Sequence, residues 1–163
     1  MSPLEIIQEK IVPLEEMNQP LARWRFLDKK IVFTNGCFDI IHKGHVDYLA
    51  RAAEFGDIMI VGLNSDDSVK RLKGNGRPLQ DQESRAVILS SLKMVNYVIL
   101  FDEDTPFNLI NHIKPDFLVK GSDYKEKEVV GADIVKSNGG EVILIDFLDG
   151  YSTTSIINKL NQI

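Results

Sequence analysis

The chain has 163 residues, of which 44% are hydrophobic and 26% charged, and its formal net charge is −5. That length fits one domain, and the acidic balance argues against nonspecific binding to nucleic acid or to a membrane surface. The single cysteine, Cys37, excludes an intrachain disulfide and fits a cytoplasmic protein. The N-terminus has no basic region followed by an apolar core, and no apolar run approaches about 20 residues, so we predict neither a signal peptide nor a membrane span.

Residues 1–29 are predicted to form an N-terminal helical extension ahead of a domain over 30–163. Apolar residues follow one another here at roughly helical spacing: Leu14, Met17, Leu21, Trp24 and Leu27. Pro20 interrupts this pattern, which therefore predicts one or two helices packed on the domain. Core packing is the preferred interpretation of Trp24, with a dimer contact as the alternative.

Apolar runs typical of buried strands alternate with helical segments along the rest of the chain. The predicted strands are 30–35, 57–64, 95–101, 116–121 and 141–147, and the predicted helices are 44–56, 81–93, 104–114, 128–140 and 152–163. This alternation predicts an α/β fold: a Rossmann-like three-layer sandwich with a five-stranded parallel sheet and helices on both faces. Ligands of such folds bind beyond the carboxyl ends of the strands, which makes 35–44, 64–80, 101–105, 120–127 and 148–152 the candidate loops.

The strongest functional signal follows the first predicted strand, where two of the three histidines stand three residues apart. Asn35 and Gly36 favour a turn with positive φ, and a glycine also lets a ligand approach the backbone. His42 ends the loop and His45 opens a helix, so the two imidazoles share one face, with Gly44 leaving the space between them clear. Because a helix N-terminus also favours anions, this segment predicts a phosphate site.

Other interpretations of this segment remain open. Cys37 and Asp39 could complete a metal site with the two histidines, but zinc needs three or four ligands and no familiar zinc spacing is present, so no metal site is predicted. Two structural histidines are a further alternative. Cys37 is interpreted as a small residue buried in the turn rather than as a catalytic thiolate.

Two later segments carry groups suited to anions. Four hydroxyl residues in a row precede the last helix: Ser152, Thr153, Thr154 and Ser155. A helix N-cap needs only one hydroxyl, so the others are available for phosphate oxygens. Lys73 and Arg77 flank the sequence GNG and are predicted to close over a polyphosphate, whereas Lys70 and Arg71 are assigned to a solvated loop.

Further candidates lie around these segments. Asp66 is predicted either to cap a helix or to hold a ribose hydroxyl. Lys120 and Gly121 end a strand, with Asp123 as an acceptor for a sugar or a base. Arg85 is interpreted as a surface ion pair or as a phosphate-binding arm.

These blocks resemble a known family. GCFDIIHKGH is similar to the HxGH signature of the cytidylyltransferase-like nucleotidyltransferases, and STTS is similar to their second signature. Over residues 28–160, five blocks in order resemble the adenylyltransferase domain of ADP-heptose synthesis, D-glycero-β-D-manno-heptose 1-phosphate adenylyltransferase: KIVFTNGCFDIIHKGHVDYL, NSDDSVKRLKGNGRP, VKGSDY, NGGEV and DGYSTTSII. Ser122 departs from this pattern, in which a glycine is expected. The chain resembles the stand-alone form, which works beside a separate sugar kinase.

The resemblance implies transfer of AMP from ATP, bound with Mg²⁺, to a sugar 1-phosphate. His42 and His45 would stabilise the α-phosphate, Lys73 and Arg77 would hold phosphates, and Asp39 is a candidate ligand for Mg²⁺. It also implies a nucleotide site formed by residues after the strands and before the last helix: Asn35, Gly36, Cys37, Phe38, Asp39, Gly44, Asn64, Asp66, Arg85, Lys120, Gly121, Asp123, Ser152, Thr153, Thr154 and Ser155.

Two functions compete with this one. The first is a cytidylyltransferase acting on glycerol 3-phosphate or a similar small phosphate, and the second is a nucleotide-binding module without catalysis. An NAD-dependent enzyme is not predicted, since no GxGxxG follows the first strand. Relatives of this type often form dimers, so a homodimer is also considered.

Overall fold

The structure, a computed structural model, describes residues 1–162. The five strands are β1 (Ile31–Gly36), β2 (Ile58–Asn64), β3 (Tyr97–Phe101), β4 (Phe117–Gly121) and β5 (Glu141–Ile145). The α-helices are α1 (Pro3–Gln8), α2 (Asn18–Phe26), α3 (Lys43–Ala53), α4 (Asp66–Lys73), α5 (Gln82–Ser91), α6 (Phe107–Ile113), α7 (Ala132–Ser137) and α8 (Thr153–Leu160). Short 3₁₀ helices occupy Leu14–Met17 and Glu126–Glu128.

All five strands are parallel, in the order β3-β2-β1-β4-β5. The strand order reverses at β1, which has β2 on one side and β4 on the other, so the carboxyl ends of β1 and β4 diverge into different loops. The predicted Rossmann-like α/β fold is confirmed, and each strand lies where the sequence placed it, with ends shifted by one or two residues. Over residues 1–162, no helix combines the length and apolarity that crossing a bilayer requires.

The sheet separates two apolar clusters because its side chains alternate between faces. On β1, Ile31 and Phe33 enter one cluster with α2, α6 and α7, whereas Val32 enters the other with α3 and α5. Both faces of the central strands are therefore shielded from solvent, which explains why the sequence of β2 is a continuous apolar run rather than an alternating one.

The predicted helices are present in shortened form, and two further helices were not separately predicted. The segment assigned to a solvated loop around Lys70 and Arg71 forms α4, in which Val69 is fully buried. The helix α1 has no buried residue. The last predicted helix extended to Ile163, which lies outside the described residues.

The N-terminal segment packs on the sheet. Met17 and Leu21 are buried in the cluster with α6 and α7. Val98 of β3 makes two backbone hydrogen bonds to this segment: its carbonyl accepts from the Val12 amide, and its amide donates to the Lys10 carbonyl. Trp24 packs on the Tyr97 ring with centroids 5.3 Å apart, as core packing predicts.

Pro20 does not interrupt the helical structure. It lies in the first turn of α2, where its missing N–H leaves no intrahelical bond unmade. The division between the extension and the domain, and the homodimer, stay predictions.

Candidate active site

A cleft opens where β1 and β4 part at the carboxyl edge of the sheet. In the described chain these strands pair at two positions, Val32 with Phe117 and Phe33 with Leu118, whereas β1 and β2 pair along six. The cleft encloses about 620 Å³. Its lining residues come from the ends of β1, β2 and β4, from the loops after the strands and from α3, α4 and α8: Asn35, Gly36, Cys37, Phe38, Asp39, His45, Tyr48, Asn64, Leu72, Lys73, Arg77, Asp104, Thr105, Pro106, Lys120, Gly121, Tyr124, Val130, Phe147, Thr153 and Thr154.

The loop that leads into α3 turns at residues other than those predicted. Asn35 and Gly36 are the last residues of β1, and the positive φ values belong to Phe38 (46°) and Ile40 (55°). A Cβ on Gly36 would lie 3.0 Å from the Phe38 ring, so this glycine makes room for a neighbouring side chain. The prediction of a positive φ at Asn35–Gly36 was therefore wrong, because the strand continues through both residues.

The two histidines cap α3 together. The Gly44 amide donates to His42 Nδ1 at 3.1 Å, and the His42 amide donates to His45 Nδ1 at 3.3 Å. The rings stack with centroids 3.9 Å apart and planes 29° apart. Because Nδ1 accepts a hydrogen bond in both rings, each neutral imidazole carries its proton on Nε2 and can donate it to a ligand.

Gly44 is required by the histidine pair itself. A Cβ at this position would lie 2.9 Å from His42 Cε1 and 3.0 Å from Tyr151 Cβ. The space that the sequence analysis assigned to a ligand is thus filled by the His42 ring and by Tyr151. Of the two histidines, His45 lines the cleft. The His42 ring stacks on the His45 ring.

Both imidazoles are neutral near pH 7. Burial, together with the neighbouring His42 ring, lowers the pKa of His45 to about 4. Burial also lowers the pKa of His42. The histidines therefore offer hydrogen-bond donors rather than full positive charges, and cations must come from other residues.

Three basic side chains line the cleft: Lys73, Arg77 and Lys120. Lys73 lies exposed in the last turn of α4, whereas Lys120 is buried at the end of β4. Lys120 Nζ donates to Asn35 Oδ1 across the separated strands and lies 5.6 Å from the centre of the Tyr124 ring. Burial lowers the pKa of Lys120 to about 8, so it still carries a positive charge at neutral pH.

Asp39 binds protein groups with both carboxylate oxygens. Oδ2 accepts from Arg77 Nε and from the Leu79 amide, each at 2.8 Å, and Oδ1 accepts from the Gln80 amide at 3.0 Å. Burial alone would raise the pKa of Asp39, but these donors together lower it. The interpretation of Asp39 as a candidate ligand for Mg²⁺ does not fit this arrangement, because both carboxylate oxygens already accept from protein donors and the side chain has no exposed surface.

Arg85 is neither a surface ion pair nor an exposed arm. It is fully buried, and it donates to three carbonyls, those of Gln80 at 3.0 Å, Cys37 at 2.7 Å and Asn64 at 2.9 Å. Its remaining nitrogen pairs with Asp66 at 2.7 Å. Arg85 therefore connects the carboxyl ends of β1 and β2, which corrects both sequence-based interpretations.

The acidic residues at the start of α4 also differ from expectation. Ser65 is the N-cap of α4, and its hydroxyl accepts from the Ser68 amide at 3.0 Å. Asp66 is the first residue of the helix, where its carboxylate pairs with Arg85. The prediction that Asp66 caps the helix was wrong, because the cap lies one residue earlier.

The four hydroxyls before α8 have separate roles. Ser152 is the N-cap and accepts from the Ser155 amide at 3.0 Å, while the Ser155 hydroxyl donates to the Ser152 carbonyl. Thr153 Oγ1 donates to the Asp39 carbonyl at 2.8 Å and so joins α8 to the histidine loop. Of the four, Thr153 and Thr154 line the cleft. No residue of α8 is buried, and of these bonds the one from Thr153 joins the helix to another segment of the chain.

Two other candidates have defined positions. Burial raises the pKa of Cys37, so its thiol is protonated at neutral pH and does not act as a thiolate nucleophile. Asp123 is exposed just beyond β4, with Oδ1 2.6 Å from where a Cβ on Gly121 would lie.

Several cleft residues were not named by the sequence analysis. Asp104, Thr105 and Pro106 follow β3, and the rule that ligands bind beyond strand ends had already marked the loop at 101–105. Tyr48 stands three residues after His45 on the same helix face, so helical spacing could have found it. Tyr48 and Thr34 share a buried hydrogen bond of 2.9 Å.

Comparison with known proteins gives a consistent result. A family model described as cytidylyltransferase-like matches residues 33–159. A relative called bifunctional protein HldE, from Campylobacter concisus, is 60% identical over 155 residues, which cover 95% of this chain and 32% of the relative. The protein of that name from Wolinella succinogenes is 55% identical, over 94% of this chain and 31% of its own length. The chain thus spans about a third of the length of these relatives.

Solved structures agree on the fold. A lipopolysaccharide core biosynthesis protein from Thermoplasma volcanium is 30% identical, with a TM-score of 0.64, covering 74% of this chain and 99% of that one. A pantoate-beta-alanine ligase from Francisella tularensis, solved with beta-gamma ATP and beta-alanine, has a TM-score of 0.56 over 94% of this chain and 78% of its own. At 16% identity, this second likeness shows the fold alone.

Proposed function

We propose, because the chain belongs to the cytidylyltransferase-like family of nucleotidyltransferases, that it transfers AMP from ATP to D-glycero-β-D-manno-heptose 1-phosphate, giving ADP-heptose and pyrophosphate. The observation that carries the proposal is the cleft itself. His45, stacked on His42, meets Lys73, Arg77 and Lys120 in a single cavity at the strand ends. Neutral donors and three cations around one cavity suit a polyphosphate ligand.

The choice of sugar has separate support. Five sequence blocks resemble heptose 1-phosphate adenylyltransferases, and the relative from Thermoplasma volcanium is described as a lipopolysaccharide core biosynthesis protein. A sugar phosphate as acceptor fits both observations.

The proposed reaction is an in-line displacement. A phosphate oxygen of the sugar 1-phosphate attacks the α-phosphorus of ATP, a new P–O bond forms, and the bond to the pyrophosphate leaving group breaks. The attacking phosphate has a second pKa of about 6 and is already anionic at neutral pH, so no base has to remove a proton. Catalysis then depends on alignment and on stabilising the charge that shifts toward pyrophosphate.

The cleft residues divide this work. The Nε2–H groups of His42 and His45 donate to the α-phosphate, where neutral donors suffice because their position is set by the capping arrangement. Lys73, Arg77 and Lys120 compensate the charge of the phosphates. The start of α8 receives the β- and γ-phosphates through the Thr154 hydroxyl and its free amides, since the Thr153 hydroxyl already donates to the Asp39 carbonyl.

We further propose that Mg²⁺ enters with ATP. Within residues 1–162, no group of three or more His, Cys, Asp or Glu side chains could hold a metal ion. The Asp39 carboxylate already binds Arg77 and two backbone amides. The ion would therefore be held by phosphate oxygens, where it would neutralise charge, and we assign it no protein ligand.

A separate sugar kinase that forms the heptose 1-phosphate is also a proposal. It is supported by the word bifunctional in the names of relatives about three times as long as this chain.

A panel of substrates tests the proposed function. The purified protein is incubated with Mg²⁺, with ATP or CTP, and with heptose 1-phosphate, glycerol 3-phosphate or no acceptor, and pyrophosphate release is measured. We expect rapid release only with ATP and heptose 1-phosphate together. Faster turnover of CTP with glycerol 3-phosphate would replace this proposal with the cytidylyltransferase. Tight ATP binding without pyrophosphate release from any pair would indicate a non-catalytic module.

A further inference from the structure

Asp39 joins three separate segments of the chain around the cleft. Its carboxylate binds the 77–80 segment through Arg77 Nε and through two backbone amides. Its carbonyl accepts from Thr153 at the start of α8. In return, Gln80 Oε1 accepts from the Ile40 amide at 3.1 Å, so the two loops are bonded in both directions.

Asp39 and its partner Arg77 differ in exposure. Asp39 has no exposed side-chain surface, whereas 21% of the Arg77 side chain is exposed and Arg77 lines the cleft. The bond to Asp39 uses Nε of the guanidinium. Within the described residues the two terminal nitrogens of Arg77 make no hydrogen bond, so they can donate to a phosphate.

The 77–80 segment also depends on Asp39 for its attachment. Upstream lies the sequence GNG, in which neither Gly74 nor Gly76 has any atom within 4 Å of a Cβ position. Arg77 thus follows a stretch with little packing, and the three donors to one carboxylate hold it against the histidine loop. Other bonds hold Gln80, from the Ile40 amide and from Arg85, but among the described residues the bond to Asp39 is the one that holds the Arg77 guanidinium.

We propose that Asp39 is a positioning residue that aims the Arg77 guanidinium at the phosphates of the bound nucleotide. This inference rests on the proposed function and deepens it, because it replaces direct nucleotide or metal binding by Asp39 with an action through Arg77. The role needs a carboxylate, since all three partners are donors. An asparagine would turn its own NH₂ toward at least one of them.

The test combines NMR with kinetics on the full chain. In Asp39→Asn, the Arg77 Nε–H resonance should move to the position of an exposed arginine, and the Leu79 and Gln80 amides should exchange faster with solvent. With ATP and heptose 1-phosphate, kcat/KM should fall about 10²-fold. In an Arg77→Ala background, the same Asp39→Asn change should lower kcat/KM by no more than about twofold, because the group that Asp39 positions is already absent.

Asp57→Asn is the matched control. Asp57 likewise accepts from a backbone amide, that of Lys30, and from a basic side chain, that of Lys29, but at the opposite edge of the sheet. The kcat/KM of the Asp57→Asn variant should stay within about twofold of the wild-type value. Arg77→Lys, which keeps the charge but lacks Nε, should reproduce the loss even if Asp39→Asn does not fold.

Two results would overturn the positioning role. One is unchanged Arg77, Leu79 and Gln80 resonances in Asp39→Asn. The other is an equal loss of rate from Asp39→Asn with and without Arg77. A wild-type protein that releases no pyrophosphate would instead refute the proposed function, while the resonances would still decide whether Asp39 positions Arg77.

Discussion

The two edges of the parallel sheet use the same side-chain chemistry in opposite surroundings. At the amino edge, Asp57 bonds the Lys30 amide and the Lys29 side chain, and Asp116 bonds the Ile31 amide and the Lys30 side chain. These pairs are partly exposed, with 40% and 32% of the aspartate side chains accessible. Water competes for them, so they contribute little to stability.

At the carboxyl edge the corresponding pairs are enclosed. Asp39 and Arg85 have no exposed side-chain surface, and their partners Arg77 and Asp66 are only partly accessible. Arginine replaces lysine here, and its planar group bonds several carbonyls at once. One edge thus carries ordinary surface ion pairs, whereas the other uses buried pairs to hold the irregular loops that carry the candidate catalytic groups.

The largest expected difference between the edges is in catalysis. Replacing either histidine, as His42→Ala or His45→Ala, should lower kcat for pyrophosphate release by about 10²- to 10³-fold, because each removes a donor to the transition state. His112→Ala, in the last turn of α6, is the control and should keep the wild-type rate. Full rates in both histidine variants would contradict the assigned mechanism.

The next difference is in stability. Arg85→Met leaves three carbonyls and the Asp66 carboxylate without their donor, which should destabilise the fold by roughly 3 kcal/mol. In a protein of this size, that corresponds to a fall in Tm of about 6–12 °C by calorimetry. Lys30→Met removes an exposed cation at the amino edge and should leave Tm nearly unchanged. Equal losses in the two variants would remove the proposed distinction between the edges.

An added Cβ would be crowded at two glycines, one near each edge of the sheet. Gly44→Ala would press on His42 and Tyr151 and should lower kcat about tenfold, since the histidine pair must shift. Gly56→Ala, at the amino edge, would place its Cβ 2.8 Å from the Lys30 carbonyl. It should lower Tm while the folded protein keeps its kcat. A loss of stability alone in Gly44→Ala would contradict this distinction between the two edges.

The smallest expected difference is in the response to pH. The pKa of His45 falls from 6.5 to about 4 on folding, so between these values the unfolded chain binds more protons, and stability falls as the pH falls from 6.5 toward 4. At the amino edge, the backbone amide of Lys30 and the side chain of Lys29 lower the pKa of Asp57 below 3.8, so its contribution is lost only at more acidic pH.

Thermal unfolding between pH 7.5 and 4.5 measures this response. As the pH falls, the Tm of His45→Gln should decline less steeply than that of the wild type. The Tm of Asp57→Asn should decline in parallel with that of the wild type. A wild-type slope in His45→Gln would show that the imidazole does not resist protonation.

The strands and the histidine cleft were accessible from sequence because their signals are local. β2 is a continuous apolar run, and the sites after β1 and before α8 are short motifs at element boundaries. Parallel strands then bring their carboxyl ends together by topology alone. The predicted sheet and the predicted cluster of His45, Lys120 and Thr154 both follow from these two facts.

The roles of the charged residues were not accessible, because they depend on contacts distant in sequence. Asp39 meets Arg77 38 positions later, and Arg85 bonds Cys37 across 48 positions. Nothing local distinguishes a buried arginine on α5 from an exposed one until the neighbouring carbonyls are known. The positive φ at Phe38 was also hidden, since a glycine two residues earlier was the more plausible place for it.

The sparse attachment of α8 would affect the last step of the proposed reaction. None of its residues is buried, and Thr153 ties its first turn to the Asp39 carbonyl. Local unfolding free energies follow the amount of buried apolar contact, so α8 can open while the two apolar clusters stay intact. Pyrophosphate held at the start of α8 would then depart by a small, local opening, and the rate of that opening would set an upper limit on turnover.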